Sequence, residues 1–525
     1  MIELLAANTA QEAAPLVLAA LRRSVSKTQA RWISGAFSAS TAAGIIVAIE
    51  PDDETAQRLL AWMARGPCKL ILLGRLPPAL IAHLGLRQTD WPADSASWSR
   101  SPPAPTYAFA QSPGAIRYTP VAAPFGAAQW QRPLERFDFT DEWNNLGFGA
   151  VRADGSLWSL TMPALAAPEN TLAEVAIDGL PALAYSTLAD RETSSILWFN
   201  RKVGPIDSFE WRLVECFLSS WRYGELPCQP VLQEIPWGHE AAVTMRLDCD
   251  EDVESARPLR EAYHAMGVPF SLAVHTTNLD DPRHHDILRE MVTAGESILS
   301  HTATHAPNWG GTYEAALHEA RESATRLQGV TGQSVRYAVS PFHQSPPYAL
   351  AALADAGYGG CIGGIIRNDP EFLIARGGVL AGLPAGFVGH SQQHMLHGDC
   401  MLADGDPLAV FKEAFDRACE TRALFGYLDH PFSERYQYGW MDEASRIGAH
   451  QVLIGYIRSK APGTVFLSEN NALDFLIAKS EWQVVQQGEH FELQPPSTGK
   501  AISKLVPTLE YAGQQFEARA GRVPA

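Results

Sequence analysis

A-A-V-T-M-R-L-D-C-D (241–250) is the stretch whose reading decides the fold: an apolar run that ends in two carboxylates, Asp248 and Asp250. The same design recurs downstream in P-F-S-L-A-V-H-T (269–276), V-R-Y-A-V-S-P-F (335–342), A-L-F-G-Y-L-D-H (423–430) and T-V-F-L-S (464–468). Helix-patterned stretches at 312–328, 406–423 and 441–460 stand between them. Strands alternating with helices, with polar residues gathered just after the strands, predict a parallel β/α barrel whose chemistry sits at the C-terminal strand ends.

Upstream, P-C-Q-P-V-L-Q-E-I-P-W-G (227–238), with three prolines, reads as a linker. Residues 1–232 contain the short apolar runs G-I-I-V-A-I-E-P (44–51), K-L-I-L-L-G (69–74), P-A-L-A-Y-S (181–186) and S-I-L-W-F-N (195–200), which suit buried parallel strands flanked by helices. Leu213, Phe217 and Trp221, four residues apart, give a closing helix one apolar face. The expectation is a three-layer α/β domain, with the Pro-rich 101–114 as a candidate interruption. Its outline is similar to a degenerate class I glutamine amidotransferase domain. It has no GxGxxG or P-loop, and Cys68 and Cys216 lack a nucleophile elbow, so it is expected to be a scaffold or substrate-positioning domain. The expected division is 1–232, a barrel at 239–480, and a small β extension or tail at 481–525.

A chain of 525 residues exceeds the roughly 250–300 that one core supports, which also argues for two domains. With 46% hydrophobic and 19% charged residues the composition is globular, and no run approaches the ~18 apolar residues of a membrane span. The first 25 residues lack a basic stretch ahead of their apolar one, which argues against a secretory signal. Seven cysteines, odd in number and without CxxC, read as reduced thiols, so the expected location is cytoplasmic. A net charge of −17 disfavours nucleic acid and anionic membrane as main partners. A neutral or amino-sugar substrate fits it better.

Four clusters carry the chemistry. On a strand, residues i and i+2 share a side, so Asp248 and Asp250 face one pocket, and a divalent cation relieves the cost of two adjacent carboxylates. In H-T-A-T-H (301–305), a helical turn would project His301 and His305 from one face as two nitrogen ligands. Together they form an Asp/His/His set with open positions, the mark of a catalytic metal site, zinc being the first choice of cation. His430, at a strand end beside Asp429, is the candidate general acid. In V-R-Y-A-V-S-P-F-H (335–343), Pro341 aims the backbone N–H of Phe342 at a developing oxyanion, and Arg336 is placed to pair with a carboxylate of the site. G-H-S-Q-Q-H-M-L-H-G-D-C (389–400) holds a second HxxxH, His390 and His394, with His397, Asp399 and Cys400 nearby; it reads as a polar loop over the barrel mouth.

On these motifs the segment from about 240 to 480 resembles the polysaccharide deacetylase family, carbohydrate esterase family 4. Its R-L-D-C-D opening is similar to the branch that includes the formamido-arabinose lipid deformylase. The resemblance implies a distorted (β/α)7 or (β/α)8 barrel, Asp248 as base, Asp250, His301 and His305 as metal ligands, and His430 as general acid. The sequence departs from the family pattern where Cys249 separates the aspartates and where V-S-P-F-H replaces Arg-Pro-Pro-Tyr-Gly. The expected activity is metal-dependent removal of an N-acetyl or other N-acyl group from an amino sugar in a glycan or its precursor, with peripheral contact to a lipid-linked substrate left open. Hydrolysis of another linear or cyclic amide, and carbohydrate binding by an inactive barrel, are the alternatives.

Overall fold

The computed structural model describes residues 1–34, 37–90, 115–133, 136–137, 151–152, 161–177, 179–205, 207–363, 375–390, 393–496 and 502–524. The Pro-rich 101–114 lies outside them.

The N-terminal part is built on a nine-stranded sheet in the order Ala30–Trp32, Ile2–Ala6, Ile45–Ile49, Cys68–Leu73, Ser194–Phe199, Leu180–Asp190, Thr171–Ile177, Ala115–Tyr118, Gln131–Pro133. Side-chain alternation gives it two cores. Ile45, Val47 and Ile49 pack with Val17, Leu21, Trp211 and Phe217 on one face. On the other, Ile46 and Ala48 pack with Leu59, Trp62, Leu80 and Leu84. Helices Ala13–Val25 and Ser208–Ser219 therefore cover one face, and Asp53–Met63 and Pro78–Leu84 the other, which makes the three layers. The first five strands are parallel, as expected. Leu180–Asp190 instead runs antiparallel to both neighbours, because the short connections at its ends form hairpins and cannot make a parallel crossover.

The stretch read as a linker contains a strand, Val231–Pro236, paired antiparallel with Pro507–Tyr511 near the chain's end. The reading failed because the prolines lie at the strand's ends and outside it, where they interrupt no ladder. Gln483–Gln487, His490–Gln494 and Gly521–Arg522 form a further small sheet.

The C-terminal part is a curled parallel sheet. Its order is Gly378–Val379, Val388–Gly389, Gly360–Ile362, Tyr337–Val339, Ser297–Ser300, Ser271–Val274, Ala242–Cys249, Phe425–Asp429, Gln393–Met395, with Val465–Leu467 also on Ala242–Cys249. One pair, at the Gly378–Val379 edge, is antiparallel. Helices Arg257–Met266, His285–Ala294, Tyr313–Thr331, Pro347–Asp355, Ala409–Thr421 and Glu443–Lys460 alternate with the strands. In the strand Ala242–Cys249, Val243, Met245, Leu247 and Cys249 belong to the core shared with the helices. Thr244, Arg246 and Asp248 alternate with them and take the opposite side, so the strand that decides the fold also aims charge into the sheet's concave face. Cys249, the residue between the aspartates, is fully buried. Among the described residues no helix is long and apolar enough to cross a membrane.

Candidate active site

Two strand ends deliver the three expected ligands to one point. His301 directly follows Ser297–Ser300, and its N–H donates to the Val274 carbonyl at 2.9 Å, which continues the ladder. Its Nδ1 lies 3.1 Å from the Val339 carbonyl; only an N–H can serve a carbonyl, so the Nε2 lone pair is left for the site.

His305 arrives differently from the expected helical turn. Thr302 and His305 have φ of 67° and 53°, and residues 301–306 form a non-helical loop. Glu319, from helix Tyr313–Thr331, accepts the N–H groups of Ala303 and Thr304 at 2.9 and 2.8 Å and the Thr304 hydroxyl at 2.7 Å. The Thr302 hydroxyl accepts the His305 N–H at 2.9 Å. The loop's donors are satisfied by side chains, so the two rings converge without a helix.

The Nε2 atoms of His301 and His305 lie 3.1 Å apart, and Asp250 Oδ1 is 3.4 Å from the first and 3.3 Å from the second. Ligands at about 2.0–2.2 Å from a tetrahedral cation stand roughly 3.3–3.5 Å apart; the two Asp250 sides fall in that range and the His301–His305 side, at 3.1 Å, is slightly shorter. Asp250 Oδ1 is buried and makes no hydrogen bond, an open lone pair facing two imidazoles. These residues fit a divalent cation. His275 adds support from outside the triangle, with Nδ1 3.1 Å from the Asp250 backbone carbonyl.

Asp248 lies behind the triangle with its own partner. Arg246, on the same strand face, donates to its two oxygens at 2.7 and 3.1 Å, and both side chains are buried. Burial alone would raise the Asp248 pKa, but the Arg246 guanidinium outweighs it and holds the carboxyl at about 2. Burial likewise opposes ionisation of Asp250, and the surrounding imidazoles reverse it, leaving that carboxyl well below the usual range. Burial and the neighbouring His301 lower His305 to about 4, whereas His301 is raised because the two aspartates overcome its burial.

His430 follows Phe425–Asp429 and brings its Nε2 within 3.6 Å of Asp250 Oδ2. Its ring stacks on Tyr438 at 4.3 Å, and Tyr438 donates to Asp250 at 3.4 Å. The Phe342 ring lies 4.4 Å from that of His305, which puts its left-handed backbone (φ 53°) at the rim of the site.

Arg336, expected to pair with a carboxylate of the site, lies away from it. It pairs with Asp474 at 2.5 and 3.0 Å and is half exposed. It precedes Tyr337–Val339, at the strand end opposite Ser340 and the mouth, so a strand's length separates it from the carboxylates. Arg246, not Arg336, is the arginine that pairs with a carboxylate of the site. The i−2 spacing of Arg246 and Asp248 was legible in the sequence. His343 was missed too: it is buried, its Nδ1 makes no hydrogen bond, and burial with the nearby Arg246 charge pushes it down to about 3, so it is a neutral imidazole beside the site.

A second cluster, His397, Asp429 and His430, has the residue types of a metal site. Its closest nitrogens, His397 Nε2 and His430 Nδ1, are 2.7 Å apart, too close for two tetrahedral ligands and right for a hydrogen bond.

The family model described as Polysaccharide deacetylase matches residues 255–360, a span that holds His301 and His305 but neither aspartate nor His430. Over this span the C-terminal part of the chain matches the polysaccharide deacetylase family, in agreement with the resemblance its motifs carry. No curated protein matches the chain. The solved structures similar to it include the following three. A putative polysaccharide deacetylase from Mycobacterium smegmatis is 14% identical, with 51% of this chain and 96% of that one covered and a TM-score of 0.36. An allantoinase is 15% identical, covering 48% and 94%, at 0.37. A family 4 carbohydrate esterase from Streptomyces lividans, in complex with acetate, is 12% identical, covering 43% and 91%, at 0.29.

Proposed function

We propose that this protein removes an N-acyl group, acetyl foremost, from an amino sugar in a glycan or glycan precursor, with a divalent cation held by Asp250, His301 and His305. The observation that carries the reading is the ligand triangle of 3.1, 3.3 and 3.4 Å around an unsatisfied Asp250 oxygen. A cation held by these three residues would supply Lewis-acid chemistry, polarising an acyl carbonyl and acidifying water; Asp248 is the carboxylate that accepts the proton of the attacking water. Arg246 keeps Asp248 ionised and fixed in direction. The N–H of Phe342 faces the developing oxyanion. As the C–N bond breaks, His430 Nε2 gives its proton to the departing nitrogen, and the products are a carboxylate and a free amine. Zinc suits two imidazoles and one carboxylate.

The test is metal analysis of wild type, His301→Ala and His305→Ala, with acetate release from a panel of N-acetylhexosamine glycans followed on the same samples. About one cation per chain in wild type, lost together with turnover in both variants, is the expected result. Wild type without bound metal would overturn the reading; bound metal without acetate release from any glycan would favour hydrolysis of another amide or a binding role.

A further inference from the structure

The loop G-H-S-Q-Q-H-M-L-H-G-D-C, read from sequence as a polar cover, reaches under His430. Strand Gln393–Met395 pairs in parallel with Phe425–Asp429, His394 opposite Tyr427 and Met395 opposite Leu428. Two residues further along each chain the same register brings His397 beside His430, and the ring nitrogens meet at 2.7 Å. We propose that His397 is a positioning residue for His430: it engages Nδ1 inside the protein, so that Nε2 alone faces Asp250 and the substrate. The proposal deepens the function given above and rests on His430 being the acid of that reaction.

The nearby carboxylate is already committed. Asp429 Oδ1 accepts the backbone N–H of His430 at 2.8 Å, and its Oδ2 lies 3.0 Å from His450 Nε2. His450 Nδ1 meets the Tyr263 hydroxyl at 2.8 Å, which in turn lies 2.7 Å from the Tyr427 hydroxyl. Arg446 donates to the His430 carbonyl at 2.8 Å. Asp429 and Arg446 thus hold the backbone of His430, Tyr438 stacks on its ring, and its Nδ1 is left to His397, whose Nε2 also lies 3.6 Å from Asp429 Oδ1.

Two glycines seat His397. Gly398 donates its N–H to the Tyr438 carbonyl at 3.0 Å. A Cβ on Gly398 would lie 2.2 Å from the Gly439 carbonyl group, and one on Gly439, whose φ is 76°, would lie 2.1 Å from the Asp399 nitrogen. The H-G-D and Y-G-W segments therefore interlock backbone to backbone, with Tyr438 against both imidazoles, 4.3 Å from His430 and 4.9 Å from His397. Burial holds His397 at about 3, so it is a neutral partner. When His430 carries two protons, its Nδ1–H donates to the lone pair of His397 Nε2; after Nε2 has given its proton to the leaving nitrogen, the same bond remains.

The experiment compares wild type, His397→Leu, His397→Gln and His430→Ala in two ways. The first is turnover on two probes: acetate release from penta-N-acetylchitopentaose, whose amine leaving group must be protonated, and hydrolysis of 4-nitrophenyl acetate, whose leaving group need not be. His397→Leu is expected to lower kcat on the amide by about 10–100-fold with KM unchanged, and to leave the ester nearly unaffected. His397→Gln, whose amide reaches the same atom, is expected to recover most of the loss. The second is crystallography: in His397→Leu the His430 ring is expected to rotate away from its place on Tyr438. An unmoved ring in His397→Leu overturns the proposal, even if the chitooligosaccharide is not a substrate, as does an equal loss on both probes. If His430→Ala does not change the amide-to-ester ratio, the acid assignment fails instead, a result distinct from either.

Discussion

Removing the Arg246 guanidinium would leave the Asp248 carboxylate buried without a counter-charge. Arg246→Leu is therefore expected to cost about 3–5 kcal/mol of stability, or to leave Asp248 protonated at neutral pH, and to lower turnover about 10–100-fold. Arg336→Ala breaks a half-exposed pair with Asp474, so stability is expected to change by no more than ~1 kcal/mol and turnover not at all. Urea denaturation and acetate-release kinetics on the two variants check both statements; the reverse ranking would mean that Arg336 serves the site after all. The two arginines show what was legible at this scale. Arg246, Asp248 and Asp250 share a strand face by spacing alone, and Arg336, which stands ahead of its strand, was already placed by chain direction at the end away from the mouth.

At the scale of elements, the site depends on two loops whose shapes come from outside themselves. The His301–His305 loop is held by Glu319 from the following helix, so its spacing was readable but its left-handed path was not. The Gly398–Gly439 contact is similar, since each glycine is explained only by the other chain segment. Gly398→Ala forces a methyl against the Gly439 carbonyl and is expected to destabilise by about 1–3 kcal/mol or more. Gly455→Ala, in the helix Glu443–Lys460 with nothing within 4 Å of the new Cβ, is expected to stabilise by up to ~1 kcal/mol. Opposite shifts in melting temperature check the pair; two shifts of the same sign would sink the claim that the glycines interlock.

For the whole molecule, buried imidazoles couple stability to acidity. His343 and His397 are held at about 3, against roughly 6.5 in an unfolded chain. Between those values the unfolded chain binds protons that the folded one refuses, so stability rises with pH across that window and falls as the solution is acidified. Each group contributes a slope of up to about 1.4 kcal/mol per pH unit. His305, lowered to about 4, acts in the same direction, and His301, which is raised, opposes it. The metal-free protein is expected to show a urea midpoint that drops between pH 7 and pH 5, with a shallower drop in His343→Leu. A flat midpoint would mean that these rings are protonated in the folded state.

By itself the sequence determined the architecture of both parts, three layers followed by a parallel β/α domain, because strand and helix periodicities and the placement of polar residues after strands are local properties of the chain. It also determined the identity of the ligand candidates, since carboxylate and imidazole spacing is written along single elements. Only the tertiary structure decided that Val231–Pro236 is a strand closed by the chain's far end, that Arg246 serves Asp248, and that His397 backs His430. Each of these joins segments distant in sequence, and such pairings depend on strand register and on which loops can interpenetrate, which no local pattern encodes.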